Sequence, residues 1–114
     1  MMDIKLKRVY EAPAKQDGLR ILVDRLWPRG ISKEQAQVDV WAKDVAPSDE
    51  LRKWFSHDRT KWEEFKRRYF EELKSNSEGV KALVDEFIAT PVTFVFAAKD
   101  EEFNNAVALS EYIQ

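Results

Sequence analysis

Seven consecutive residues, Asp24-Arg25-Leu26-Trp27-Pro28-Arg29-Gly30, gather one carboxylate, two guanidiniums, an indole, a rigid proline and a permissive glycine. A turn needs the proline and the glycine, but not two arginines around a tryptophan. Arg25 and Arg29 can present planar forks to a phosphate or carboxylate, and Trp27 can stack on an aromatic or sugar ring. A second polar pair, Lys99-Asp100, closes another apolar run, with Asn104-Asn105 just beyond it. Lys99 adds a point charge. Asp24 and Asp100 are candidate general bases for a hydrolysis or transfer, or else clamps for the cations. Asn104 and Ser48 add hydrogen-bonding groups. Together these residues describe a site for a small anionic molecule, such as a phosphate ester or nucleotide.

The same residues have plainer uses. Arg25 with Asp100, and Asp24 with Lys99, would form two structural ion pairs tying strand ends together. Ser48 serves equally as a helix cap. Trp54 and Trp62 fall at helical spacing and read as core. His57 is the single histidine, and within Ser56-His57-Asp58 it reads as a capping or loop residue before a catalytic one. One histidine and no cysteine argue against a zinc site. Three glycines, wrongly placed, make no nucleotide fingerprint. No metal or cofactor is expected.

Strands must deliver the two motifs. Leu19, Ile21, Leu22 and Val23 are apolar without alternation, as in a strand covered on both faces. Val92 to Phe96 reads the same way and runs through Ala97-Ala98 into Lys99. Ile4, Leu6 and Val9 interleave with Lys5, Lys7 and Arg8, predicting an edge strand with one wet face. The loop holding Ala12-Pro13 and Asp17-Gly18 is short for a crossover helix, which predicts a hairpin to the next strand. Val38, Val40 and Ala42 predict a further short strand.

Helix signals fill the rest. Ser32 caps a short helix at 33–36. Ser48 caps another, with Asp49 and Glu50 in its first turn and Leu51, Trp54 and Phe55 at helical spacing. Thr60 and Glu63 have capping-box spacing, with Asp58 as a competing cap. Trp62, Phe65, Tyr69 and Leu73 mark an amphipathic helix whose mixed charges form a solvated face. Ser75-Asn76-Ser77 breaks it, Val80, Leu83, Val84, Phe87 and Ile88 make another stripe, and Thr90-Pro91 ends that. Asp100 is expected to cap a last helix carrying Ala106, Leu109 and Ile113.

This order predicts a single α/β domain over 1–114, with a small, mainly parallel sheet of about three or four strands flanked by about four or five helices. Right-handed crossovers place the carboxyl ends of parallel strands on one edge, where ligands of open α/β sheets bind. The two motifs should therefore converge.

Composition sets the wider limits. At 114 residues, with 44% hydrophobic and 12% aromatic, the chain can bury a core. Nineteen basic against twenty-one acidic residues give a net charge of -2, which argues against a general nucleic-acid face. A basic first strand with Lys5, Lys7 and Arg8 is the only motivation for a nucleic-acid-binding regulator. The remaining alternative is a non-catalytic protein-interaction module built on the tryptophan motif. The start lacks the apolar core of a signal peptide and no run reaches transmembrane length, so a cytoplasmic protein without membrane contact is expected.

The motifs resemble those of the YeaO-like family of bacterial proteins, within domain of unknown function 488. The resemblance rests on Arg8-Val9-Tyr10, on Leu22 through Gly30, on Trp41-Ala42-Lys43-Asp44-Val45-Ala46-Pro47-Ser48, on Leu51-Arg52-Lys53-Trp54-Phe55, on Phe65 to Tyr69 and on Ala97-Ala98-Lys99-Asp100. It spans nearly the whole chain. It implies a compact α/β domain and brings no accepted activity. Relatives tend to carry histidine just before the asparagine of the last motif. Here Phe103 stands there, and phenylalanine can neither shuttle a proton nor bind a metal. Some members carry a transcriptional-regulator label, but this sequence has no helix-turn-helix with a basic recognition helix.

Overall fold

In the structure, a computed structural model that describes residues 3–87 and 91–114, the chain builds one four-stranded sheet. The strands are β1 (Ile4–Arg8), β2 (Leu19–Leu22), β3 (Val40–Trp41) and β4 (Val92–Phe96). Their spatial order is β1-β4-β2-β3, and every neighbouring pair is parallel. Phe94 sits opposite Leu6 on one side and Ile21 on the other. All five residues of β4 are buried, as expected for a central strand without alternation. Five helices surround the sheet: α1 (Lys33–Ala36), α2 (Asp49–Phe55), α3 (Trp62–Lys74), α4 (Ser77–Asp85) and α5 (Asn105–Ile113).

The expected hairpin between β1 and β2 is not formed. Both strands run parallel to β4, which lies between them. A five-residue strand is only ~17 Å long, so an extended loop can return along it without a crossover helix. The loop over 9–18 does so with a single 3-10 turn, Lys15–Asp17. The strand expected over 38–42 shortens to Val40–Trp41.

The core has two faces. On one, Ile21, Val23, Phe94 and Phe96 pack against Phe55, Phe65, Tyr69, Leu73 and Leu109 from the helices. On the other, Val9, Leu22 and Val95 meet Ala36, with Trp27, Ile31 and Val38 against them. The α3 stripe is buried as its spacing predicts, and the Tyr69 hydroxyl donates to the Val45 carbonyl. Asp58 prevails over the Thr60–Glu63 box: its carboxylate accepts from the Thr60 N–H at 2.9 Å and opens a 3-10 turn leading into α3. In α4, Leu83 is buried and Val80 packs against the same core, whereas Ile88 and Thr90 lie outside the described residues. Asp100 does not cap the last helix. Asn104 does, accepting from the Val107 N–H at 3.0 Å. No helix among the described residues is long and apolar enough to cross a membrane.

A buried polar cluster fixes the return loop. The Asp17 carboxylate accepts from Arg20 Nη1 at 2.6 Å, from Lys7 Nζ at 3.1 Å and from the Ala14 N–H at 3.0 Å. Arg20 donates onward to the Ala36 carbonyl at 2.8 Å, and Thr93 Oγ1 donates to the Asp17 carbonyl at 2.7 Å. Asp17 thus joins the loop to β1 and β2 through its carboxylate and to β4 through its carbonyl, and Arg20 extends the cluster to α1. Burial alone would raise the Asp17 carboxyl, but the three donors outweigh it and hold the group below its ordinary range. Beside it, Gly18 has a φ of +63°, and a Cβ there would lie 2.1 Å from the Pro91 carbonyl oxygen.

Two stability effects are expected. Asp17→Ala leaves the Arg20 guanidinium buried without its anion and should cost ~3 kcal/mol in urea unfolding. The depressed carboxyl contributes stability above its unfolded value of 3.8, lost as pH falls through the folded pKa, so the wild type should lose more stability on acidification than Asp17→Ala. Gly18→Ala should cost ~2 kcal/mol or more, because both the backbone angle and the Pro91 carbonyl oppose a methyl group.

Candidate functional site

The carboxyl edge of the sheet opens into a cleft of about 870 Å³. Its walls come from the loops after β2, β3 and β4, from the turn after α2 and from the first turn of α5. Asp24, Arg25, Trp27, Arg29, Lys99, Asp100 and Asn104 all line it, whereas Ser48 does not. The Ser48 hydroxyl instead accepts from the Leu51 N–H at 3.2 Å to cap α2, and donates to Glu72 at 2.6 Å.

Asp24 closes the inner end. One carboxylate oxygen accepts from the Ala97 N–H at 2.9 Å, and the other accepts from Asn105 Nδ2 at 3.0 Å. The same Asn105 amide donates to the Val23 carbonyl at 2.9 Å. Burial pushes the Asp24 carboxyl above its ordinary range, against the pull of these two hydrogen bonds and of the His57 side chain.

Arg25 is anchored by carbonyls. Its Nε donates to Pro47 O at 2.9 Å and its Nη2 to Ala46 O at 3.3 Å. The other three N–H donors of the guanidinium have no partner among the described residues. No buried side-chain nitrogen among those residues lacks a partner, so Nη1 is accessible to solvent, and Arg25 lines the cleft.

Trp27 is held firmly. Its Nε1 donates to the Ile31 carbonyl at 2.8 Å, and its ring meets the edge of Trp41 at 5.5 Å and 74°. Trp41 in turn donates to the Asp24 carbonyl at 2.8 Å. The Trp27-Pro28 bond is trans.

The two ion pairs that offered a plainer explanation do not form. Asp100 pairs instead with Arg59, through Nε at 2.9 Å and Nη2 at 3.2 Å. That guanidinium lies 4.6 Å from the centre of the Phe103 ring, so Phe103 seats it. The Arg59 hydrogen bond, followed by the N–H groups of Phe103 and Glu102, holds Asp100 below the ordinary carboxylate range. Asn104 is fully engaged as a cap, donating to the Asp100 carbonyl at 2.8 Å.

Four lining residues carry no strong sequence signal. Tyr10 donates its hydroxyl to the Arg29 carbonyl at 2.8 Å. Arg52 and Lys53 face the cleft from α2. His57 lines it from a turn in which Ser56 and His57 have φ of 45° and 57°, unusual for residues with side chains. The break at Ser56-His57-Asp58 announces a turn but not its handedness.

The balance of charge in the cleft is positive, against a chain net charge of -2. Arg25, Arg29, Arg52, Lys53 and Lys99 line the cleft with Asp24 and Asp100, of which Asp100 is paired with Arg59 and Arg52 with Asp49. The side chains of Arg29, Lys53 and Lys99 make no hydrogen bond or ion pair among the described residues. Nor does any group of three or more His, Cys, Asp or Glu among those residues have an arrangement that could hold a metal ion.

The chain is similar to the uncharacterised protein YeaO of Escherichia coli, at 40% identity over 113 residues, covering 99% of this chain and 98% of that one. It is 45% identical over 92 residues to the uncharacterised proteins Rv3073c of Mycobacterium tuberculosis and Mb3100c of Mycobacterium bovis, covering 79% of this chain and 78% of each. No solved structure gives a significant match. The family described as the inactive DUF488-N3 subclade matches residues 3–114, and the chain belongs to that subclade.

Proposed function

We propose that this protein binds a small phosphate- or carboxylate-bearing molecule in the cleft without transforming it. The observation that carries this reading is the set of cations lining the cleft without an internal anion: Arg29, Lys53 and Lys99, together with Arg25, three of whose N–H donors have no partner among the described residues. Cations that line one concave site and lack internal anions are suited to an anionic guest. A carboxylate or phosphate would accept two parallel hydrogen bonds from Arg25, whose carbonyl anchors pre-orient the fork.

The acid-base role weighed for Asp24 and Asp100 in hydrolysis or transfer has little support. Both Asp24 oxygens already accept hydrogen bonds, and Asp100 is held by Arg59 and two backbone N–H groups. The subclade's description as inactive agrees with binding in place of turnover. The nucleic-acid reading loses its motivation, because Lys5 donates to Gln16 O, Lys7 pairs with Asp17 and Arg8 holds the carbonyls of Ala97 and Ala98. A docking role for Trp27 would favour a flat exposed patch, whereas this ring is half-buried in the cleft wall.

Two measurements test the reading. In a thermal-shift screen of phosphate- and carboxylate-bearing metabolites, a ligand at a hundred times its dissociation constant should add ~2.7 kcal/mol of stability. Arg29→Ala and Lys99→Ala should melt like the wild type and lose that gain; retained shifts in both would refute the assignment. The second measurement uses pH. The raised Asp24 carboxyl makes the folded state hold more protons than the unfolded one, so its contribution lowers stability as pH climbs from 3.8 through the folded pKa. Asp24→Asn should flatten that fall and tighten anion binding at neutral pH, since one negative charge leaves the cleft.

A further inference from the structure

The cleft walls restrict the body of the guest as well as its charge. At about 870 Å³ the space lies far above what an inorganic phosphate fills. It falls in the range of roughly 300–1,000 Å³ typical of sites that enclose a metabolite-sized organic molecule. Leu26, Pro28, Phe55, Phe65, Ala97 and Ala98 line it with apolar surface. Leu26, 55% exposed, is accessible to a molecule in the cleft.

Groups suited to a sugar are scarce. Recognition of several hydroxyls calls for carboxylates and amides with free positions. Here Asp24 accepts from Ala97 and Asn105, Asp100 from Arg59, Glu102 and Phe103, and both ends of the Asn104 amide are engaged. Asn105 donates to Val23 and Asp24, which leaves its Oδ1 as the one amide position of this pair without a partner among the described residues. The Trp27 ring, by contrast, is pre-set: its N–H is tied to Ile31 and its plane braced by Trp41, so stacking on it costs little further ordering.

Resting on the anion-binding reading above, we propose that the guest is an aromatic ring system carrying a single phosphate or carboxylate. The anionic group meets Arg25 with Arg29 and Lys99, and the ring lies against Trp27 and Leu26. The apolar body supplies affinity by burial and stacking, while the cations fix its orientation.

The test compares four probes by calorimetry on the full chain: naphthyl phosphate, a hexose phosphate, inorganic phosphate and naphthol. Naphthyl phosphate should bind at least about tenfold more tightly than either other phosphate and than naphthol, the scale of advantage expected from aromatic contact and charge together. Leu26→Ser alters an exposed position and should keep the wild-type melting temperature. It should weaken naphthyl phosphate several-fold and leave the hexose phosphate unchanged. Equal affinity for the aromatic and hexose phosphates would overturn the aromatic guest and leave the anion site standing. Equal binding of naphthol and naphthyl phosphate would overturn the anion reading, and no binding of any phosphate would overturn both.

Discussion

The carboxylate of Asp24 sets the geometry at the carboxyl edge of the sheet. It takes a backbone N–H from the residue after β4 and an amide N–H from the first residue of α5. Three elements that are remote in sequence meet at one side chain. The position carries a cost, because burial raises the carboxyl above its ordinary range. The hydrogen bonds to Ala97 and Asn105 offset that cost, and an unsatisfied N–H at either place would be the alternative. With Asp24 held inward, the chain turns at Arg25, and that guanidinium reaches the carbonyls of Ala46 and Pro47. The loop after β3 is thereby tied to the loop after β2.

What these ties leave over defines the cleft. Each inner polar group is engaged: Asp100 by Arg59, Asn104 by its own helix, Trp27 by Ile31. The cations nearer the rim are not, and Arg29, Lys53 and Lys99 face the opening without internal anions. Under the proposed binding role, a floor whose hydrogen bonds are already made would not need to reorganise when a guest arrives. Phe103 fits the same pattern. It packs against Trp62 at 5.3 Å while seating Arg59. The position serves packing.

Away from the carboxyl edge, Asp17 does for the return loop what Asp24 does for the loops around the cleft. The two clusters share a logic: a buried carboxylate is tolerated where several donors from different elements converge on it. They differ in net effect. Asp17 has two cations beside it and is lowered, whereas Asp24 has mainly neutral donors and is raised.

The sequence by itself determined the two buried strands, the α3 stripe and the caps at Ser32 and Ser48, because local periodicity and capping chemistry decide those features. It also determined that Asp24-Arg25 and Lys99-Asp100 reach one edge, since parallel strands fix where their ends point. Tertiary structure decided the rest. Whether β1 and β2 pair depends on β4, more than sixty residues away from either, which no local pattern encodes. The partner of Asp100 is Arg59 and the partner of Arg25 is a pair of backbone carbonyls, because long side chains bond to whatever packing brings within reach. Asn104 took the cap expected of Asp100 because the turn over 100–103 consumes the Asp100 carboxylate before the helix begins. Charge was legible in the sequence; which charges remain free is a property of the fold alone.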